Sequence, residues 1–483
     1  MTRMAVVLTL MGCVSVQGEE SLRDFVKRVQ RRTSYAMYVK GRKAGWLIEE
    51  LRLGQHQGRE VALQIDESDI LMSAGGNRSH STSKTVTAYD LAGKGEMLFA
   101  EETSVENGVK TVTKVERGKK NDLVITRTTQ GRTSKRTIPM IRDTLALRQK
   151  FDVWLKGQRK AGDTVDDYEI DWSQDKVEFL NRVAYQKKKT ILASGVKKTI
   201  HQAEVSVFGA RLQAQITSTG AWYTARLGSL IEIRTEPEAI AKKRGKVLPD
   251  ISSEASIIVD RDLGHPRKVD HLTILLSGQG DLELESTPRQ KVTKQGKDLK
   301  IELRRDFLIE GKGQALGKDE KEKYLESTAN IQANDKSIQE IAKKIVGKET
   351  DLMKQFQKLQ FWLYVNLKKS LIHNTDSALT VLKNKAGDCT EHALLFVALA
   401  RSLGIPARQV TGVMFGNSDN KSMFLWHAWA EAHNGKQWVT VDPAWNEVLV
   451  DATHIKFGQG SRDLAWISVA SQLKIKIESF KAR

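Results

Sequence analysis

Two cysteines occur in the 483 residues, Cys13 and Cys389, and the second is placed for chemistry. It follows Gly387-Asp388 and opens a largely apolar run, Ala393 to Leu403, that stops at Gly404-Ile405-Pro406. The pattern is a turn, a cap, a helix and a stop: Gly404 suits the left-handed cap, and Pro406 cannot continue a helix. A thiol in the first turn of such a helix feels the positive end of the macrodipole, which favours the thiolate and predicts a lowered pKa. Free cysteines most often only pack, and Cys389 by itself would favour that reading. The balance shifts with a hairpin from Trp426 to Asp442 around Asn434-Gly435, the strongest short hairpin signal.

With Asn434 and Gly435 as the central pair of a type I′ turn, His427 falls directly opposite Asp442, within reach for an imidazole to donate to a carboxylate. Alternation puts Ala428, Ala430, Val439 and Val441 on a core face, and His427, Trp429, Glu431, Trp438, Thr440 and Asp442 on a functional face. Cysteine, histidine and aspartate together give acyl transfer: thiolate attack, proton relay by imidazole, and an anion that fixes the tautomer. Backbone N–H groups at the helix start, that of Cys389 among them, suit an oxyanion; the second donor is not legible. Trp429 and Trp438 share the His427 face and are candidate groove walls, with core packing the alternative. His392, His433 and Glu431 read as structural, solvated and solvent-exposed, respectively.

Four ordered stretches carry a resemblance: Gly387-Asp388-Cys389; Leu399 through Arg408; His427-Ala428-Trp429; and Trp438 through Pro443. They resemble the transglutaminase-like superfamily over about the last third of the chain. The resemblance implies a papain-like α+β core with Cys389 as nucleophile, His427 as base and Asp442 as its orienter. The superfamily includes cross-linking transferases, cysteine proteases, glycan-releasing amidases and inactive members, so the resemblance names a chemistry better than a substrate.

The elements that must position these residues differ along the chain. From about residue 30 to 310 the apolar pattern has period two, as in Ala203-Val205-Val207 and Leu299-Ile301-Leu303, and predicts antiparallel β structure. Helical periodicity takes over at Ile338, Ile341, Ala342 and Ile345, capped by Asp335, and again from Leu352 to Leu367. Phe361, Trp362 and Tyr364 in the latter read as core. The fold class is therefore α+β, a long antiparallel β-rich region followed by the catalytic core. The expected divisions are a leader at 1–18, a β-rich domain at 19–250, a small β module with connector at 251–326, and a catalytic domain at 327–483, with Pro237 to Pro249 as a linker or long loop.

The leader has a positive start, a short apolar run and a small-residue exit at Val16-Gln17-Gly18, and Leu10-Met11-Gly12-Cys13 is similar to a lipoprotein box. The expectation is export to the periplasm or cell envelope, with free secretion and lipid anchoring both open. Removal of Cys13 would leave a lone thiol, an oxidation hazard unless it is used. The charge of +18 and pI near 9.6 attract anionic partners. An acidic envelope polymer or membrane surface fits an exported protein better than nucleic acid, because the basic residues are dispersed among acidic ones. A merely solvated cationic surface fits as well. No metal-ligand spacing and no phosphate-binding glycine loop is legible, so no cofactor is expected. The leading reading is an exported cysteine acyltransferase, protease or amidase acting on a protein or peptide; the competing one is a non-enzymatic envelope-binding scaffold that has kept this core.

Overall fold

A computed structural model of the chain describes residues 20–74, 77–106, 108–118, 121–129, 131–172, 177–193, 195–207, 210–249, 256–279, 283–311, 313–328, 330–370, 377–418, 421–459 and 472–483. The expected leader, with Cys13, lies outside them. The chain divides into two units, one of residues 1–73 and 78–251, the other of 74–77 and 252–483.

Period-two patterning gives the first unit a sheet of fourteen strands among the described residues. The first strand, Arg31–Val39, lies at its centre. Successive strands step outward from it to the edge strand Arg132–Pro139, and the helix Leu145–Lys156 then carries the chain to the opposite edge, Thr164–Ile170. From there the strands return inward until Ile231–Thr235 closes on Arg31–Val39 in antiparallel register. The helix starts where the Thr144 hydroxyl accepts the Leu147 N–H at 3.3 Å. One face of the sheet buries Tyr89, Met97, Val115 and Ile125 against the helix Leu22–Val29. Buried Ser68, Ser81, Thr87 and Thr113 make part of the interior polar. The expected Pro237 to Pro249 linker contains a short helix, Glu238–Ala241, whose Ala241 packs on Ala36 and Tyr38.

In the second unit the helices Lys336–Val346, Leu352–Asn366 and Ala378–Asn384 surround Cys389–Ser402. Every residue from Glu391 to Ala400 in that central helix is buried. A helix apolar on all sides belongs in a core. Leu394, Leu395, Phe396, Val397 and Leu399 together contribute on the order of 10 kcal/mol of gross hydrophobic stabilisation. The helix packs on a sheet in the order Glu447–Val448, Trp438–Asp442, Lys421–His433, Ala407–Ser418, Ile455–Gln459. A second, four-stranded sheet joins Gln290–Gln295, Asp298–Arg304 and Val269–Ser277 to Lys474–Ala482. Its Leu272, Ile274, Leu299 and Ile301 share one core with Val413, Phe415 and Phe424 of the larger sheet. The strands expected as a module at 251–326 are thus one body with the helical part. The aromatic row of Leu352–Asn366 corrects another expectation: Trp362 packs on the core, but Phe361 and Tyr364 are exposed.

Candidate active site

Local sequence fixes the position of Cys389. Asp388 caps the Cys389–Ser402 helix: its carboxylate accepts the Thr390 N–H at 2.7 Å, while Glu391 reaches back to the Asp388 N–H at 2.8 Å, a reciprocal capping box. Cys389 is therefore the first helical residue, and it is only half-buried. At the far end Gly404 takes φ 78°, and the Arg401 Nε donates to the Ala407 carbonyl at 2.9 Å, tying the helix to the next strand.

The hairpin register differs from the sequence expectation. Glu431 pairs with Thr440 and His433 with Trp438, so the turn holds four residues, Asn434 to Gln437, instead of two. The Asn434 side chain accepts the N–H groups of Lys436 and Gln437, which stabilises the longer turn. The slip is two residues, an even number, so the faces are kept. His427 and Asp442 become diagonal neighbours, still within reach of long side chains. His427 Nε2 meets Asp442 Oδ2 at 2.7 Å. That bond occupies Nε2 and leaves Nδ1 for Cys389, whose thiol is hydrogen-bonded to His427 and also accepts the Ala428 N–H.

Asp442 is completely buried, and all its lone pairs are engaged. Oδ1 accepts the N–H groups of Ala444 and Trp445 at 2.9 and 3.1 Å, and Oδ2 accepts His454 Nε2 at 3.2 Å beside His427. These contacts outweigh burial and hold the carboxyl far below the usual range. His427 is pushed up to about 9: burial opposes its charge, but Asp442 and Cys389 favour it more. The thiol behaves otherwise than the helix dipole suggests. Burial and the neighbouring Asp388 carboxylate push the Cys389 pKa up, and His427 only partly offsets them.

His454, which arrives from an aperiodic segment after Asp451, was not legible as a site residue. It too is pushed up to about 9, burial being overcome by Asp451 and Asp442, so a buried imidazolium spans two carboxylates. Among the described residues, two sets of three ligand atoms lie within 4.8 Å of one another, His427-Asp442-His454 and Glu447-Asp451-His454. The first set joins three separate segments, which hides it in the sequence, whereas the second lies within the short stretch from Glu447 to His454.

Other expected positions are corrected. Trp429 is completely buried against His427 and His454 and has no face to offer a groove. Trp438 is half-buried, edge-on to Tyr324, with the Arg408 guanidinium 4.0 Å from its ring centroid. Glu431 is not solvent-exposed: it is buried between Arg408 at 2.6 Å and Lys456 at 2.9 Å. His433 is buried and not solvated. His392 is completely buried, with Nδ1 2.6 Å from the Asp388 carbonyl. Trp445, whose backbone N–H donates to Asp442, is exposed, as is Tyr364; Lys369 Nζ lies 5.1 Å from the Trp445 ring and 5.5 Å from that of Tyr364.

Residues 339–443 match the transglutaminase-like superfamily and form a transglutaminase-like core. An uncharacterized Haemophilus influenzae protein is 32% identical over 120 residues, which cover 23% of this chain and 31% of that relative. Among solved structures, a candidate cysteine protease from Cytophaga hutchinsonii is similar at 17% identity and TM-score 0.30, over 44% of this chain and 86% of its own. A candidate protease from Parabacteroides distasonis follows at 11% identity and TM-score 0.19, over 80% and 70%.

Proposed function

We propose that the transglutaminase-like core carries out cysteine-dependent acyl chemistry on a carboxamide or peptide bond, with Cys389, His427 and Asp442 as nucleophile, base and orienter in a papain-like arrangement. The observation that carries the proposal is His427, bonded through one nitrogen to Asp442 and facing the Cys389 thiol with the other. In the first half-reaction the imidazole starts neutral, so turnover rises as the pH climbs toward the raised His427 pKa: the thiol proton passes to His427 Nδ1 as sulfur attacks the carbonyl carbon. The oxyanion that forms lies at the helix start, where the Cys389 N–H is a donor. Collapse breaks the C–N bond, and the leaving amine takes the proton back from His427, leaving a thioester. Water or a second amine then adds to the thioester carbon, His427 removes its proton, and the thiolate leaves and is reprotonated. Hydrolysis and transfer differ only in that acceptor. Exposed Trp445 and Tyr364, flanking Lys369, supply an apolar wall with one cation for the acyl donor.

The leader pattern at 1–18 supports export to the periplasm or envelope, and the basic chain supports an anionic polymer or membrane surface as a partner. Incubation with a glutamine- and lysine-rich protein substrate, followed by intact mass spectrometry, tests the chemistry. An acyl adduct on Cys389 that hydroxylamine releases, and that is absent in Cys389→Ala, is expected. Turnover retained in Cys389→Ala would reject the proposal.

A further inference from the structure

In the first unit, Glu49 and Asp66 lie directly opposite one another on the paired strands Arg42–His56 and Arg59–Ala74. Two carboxylates so placed repel, and burial makes the repulsion worse. They border a cavity of about 80 Å³ inside the sheet. Two cations, Arg31 and Arg148, act on Glu49, and the buried one has its hydrogen bonds committed elsewhere. Buried Arg148 donates to Asp143 at 2.9 and 3.3 Å, to Tyr89 at 2.7 Å and to Gln64 at 3.3 Å. Glu49 is 6% exposed; its Oε2 accepts the Tyr35 hydroxyl at 3.0 Å, and its Oε1 has no hydrogen-bond partner among the described residues. A buried carboxylate oxygen facing a cavity without a donor is an unmet acceptor.

We propose that this cavity binds the ammonium head group of an alkylamine. Three features favour that ligand over a metal ion. Among the described residues, no three ligating atoms around the cavity converge as chelation requires. The other lining groups include the hydroxyls of Ser68, Ser83 and Thr85; Ser68 and Ser83 bond each other at 2.8 Å, and each hydroxyl oxygen has a second lone pair that can accept an ammonium N–H. Ile48, Ile141 and Trp172 give the same cavity an apolar side, which fits methylenes and lets the indole face a cation. The volume is several times the roughly 10–15 Å³ that admits a single water, enough for the head group and a short stem.

A proton meets the same electrostatic demand and competes with the ligand. Burial and Asp66 push Glu49 up to about 8, against Arg31, Tyr35 and Arg148; burial pushes Asp66 up to about 7, with Asp143 adding to it and Gln64 and Arg148 opposing. An amine must therefore displace a proton at neutral pH, and its affinity rises as the pH rises.

Calorimetric titration of the full chain tests this with four probes: 1,5-diaminopentane as a free amine, Nα-acetyl-lysine methylamide as a protein-borne one, 1,5-pentanediol as the neutral isostere, and calcium chloride. Saturable binding of either amine at about pH 9, about tenfold or more weaker at about pH 6, is expected, with no heat from the diol. The tighter amine identifies the source. Glu49→Gln keeps the shape and removes the repulsion, so it folds with an unchanged or higher Tm and binds about tenfold or more weakly. If Glu49→Gln does not fold, half-buried Asp66→Asn carries the same expectation. The proposal is overturned if neither amine binds, if calcium binds and the amines do not, or if binding survives in the folded variants.

Discussion

Asp442→Asn is the most informative single change, because its effect has a sign and a pH window. The raised pKa of His427, from 6.5 to about 9, is worth about 3 kcal/mol at 1.36 kcal/mol per pH unit, the net of an opposing burial cost and the attractions of Asp442 and Cys389. A group whose folded pKa is raised stabilises fully below its unfolded value and loses that contribution as pH climbs through the folded one. Asp442, held low, loses the same interaction when acid protonates it. The cost of Asp442→Asn is therefore greatest between about pH 4 and 6.5, and fades above about pH 9. His454 follows the same course, since it shares Oδ2. A pH-independent part of about 1–3 kcal/mol is added, because one amide end must turn an N–H donor toward either the two histidines or the Ala444 and Trp445 N–H groups. Urea unfolding of parent and variant at about pH 6 and about pH 10 measures both parts. A difference in stability that is the same at both pH values would refute the assigned His427–Asp442 pairing.

Four further outcomes follow from the same geometry. Asp388→Asn retains a good cap but removes the charge that raises the thiol, so iodoacetamide alkylation of Cys389 should shift to lower pH while circular dichroism stays unchanged. Glu431→Gln leaves Arg408 and Lys456 buried without their anion and should cost about 3–5 kcal/mol by denaturant titration; a loss under 1 kcal/mol would mean the cluster is solvated. Gly412→Ala places a Cβ into the Ile455 carbonyl oxygen, beside the strand that carries His427, and should lower Tm and slow Cys389 alkylation together. His454→Gln keeps one donor toward Asp442 but removes the charge, and NMR of the His427 ring should report an altered titration midpoint; an unmoved midpoint would show that the two rings are not linked through Asp442.

The period-two runs of the sequence became strands because side chains alternate across a sheet whatever its topology: Leu299, Ile301 and Leu303 are all buried and Lys300, Glu302 and Arg304 are not. The cap, helix and stop around Cys389 were legible for the same reason, being local. Asn434-Gly435 announced the hairpin but not its loop length, which depends on how the Asn434 side chain satisfies the turn. The His427–Asp442 contact survived that error only because the slip was even. What sequence could not supply was long-range: Lys456 and Arg408 closing on Glu431, His454 reaching Asp442, and Lys474–Ala482 completing a sheet begun two hundred residues earlier. Burial of Trp429 and the net upward push on the Cys389 thiol likewise depend on what packs around them.

The central claim is an assembled Cys389–His427 pair, and the direct measurement is the pH dependence of Cys389 alkylation by iodoacetamide, read by peptide mass spectrometry in the full chain and in His427→Ala. The geometry predicts a parent midpoint above that of an ordinary thiol, because burial and Asp388 outweigh His427, and a still higher midpoint with slower alkylation at neutral pH once the imidazole is removed. Superimposable profiles for the two proteins would contradict the pair and, with it, the proposed chemistry.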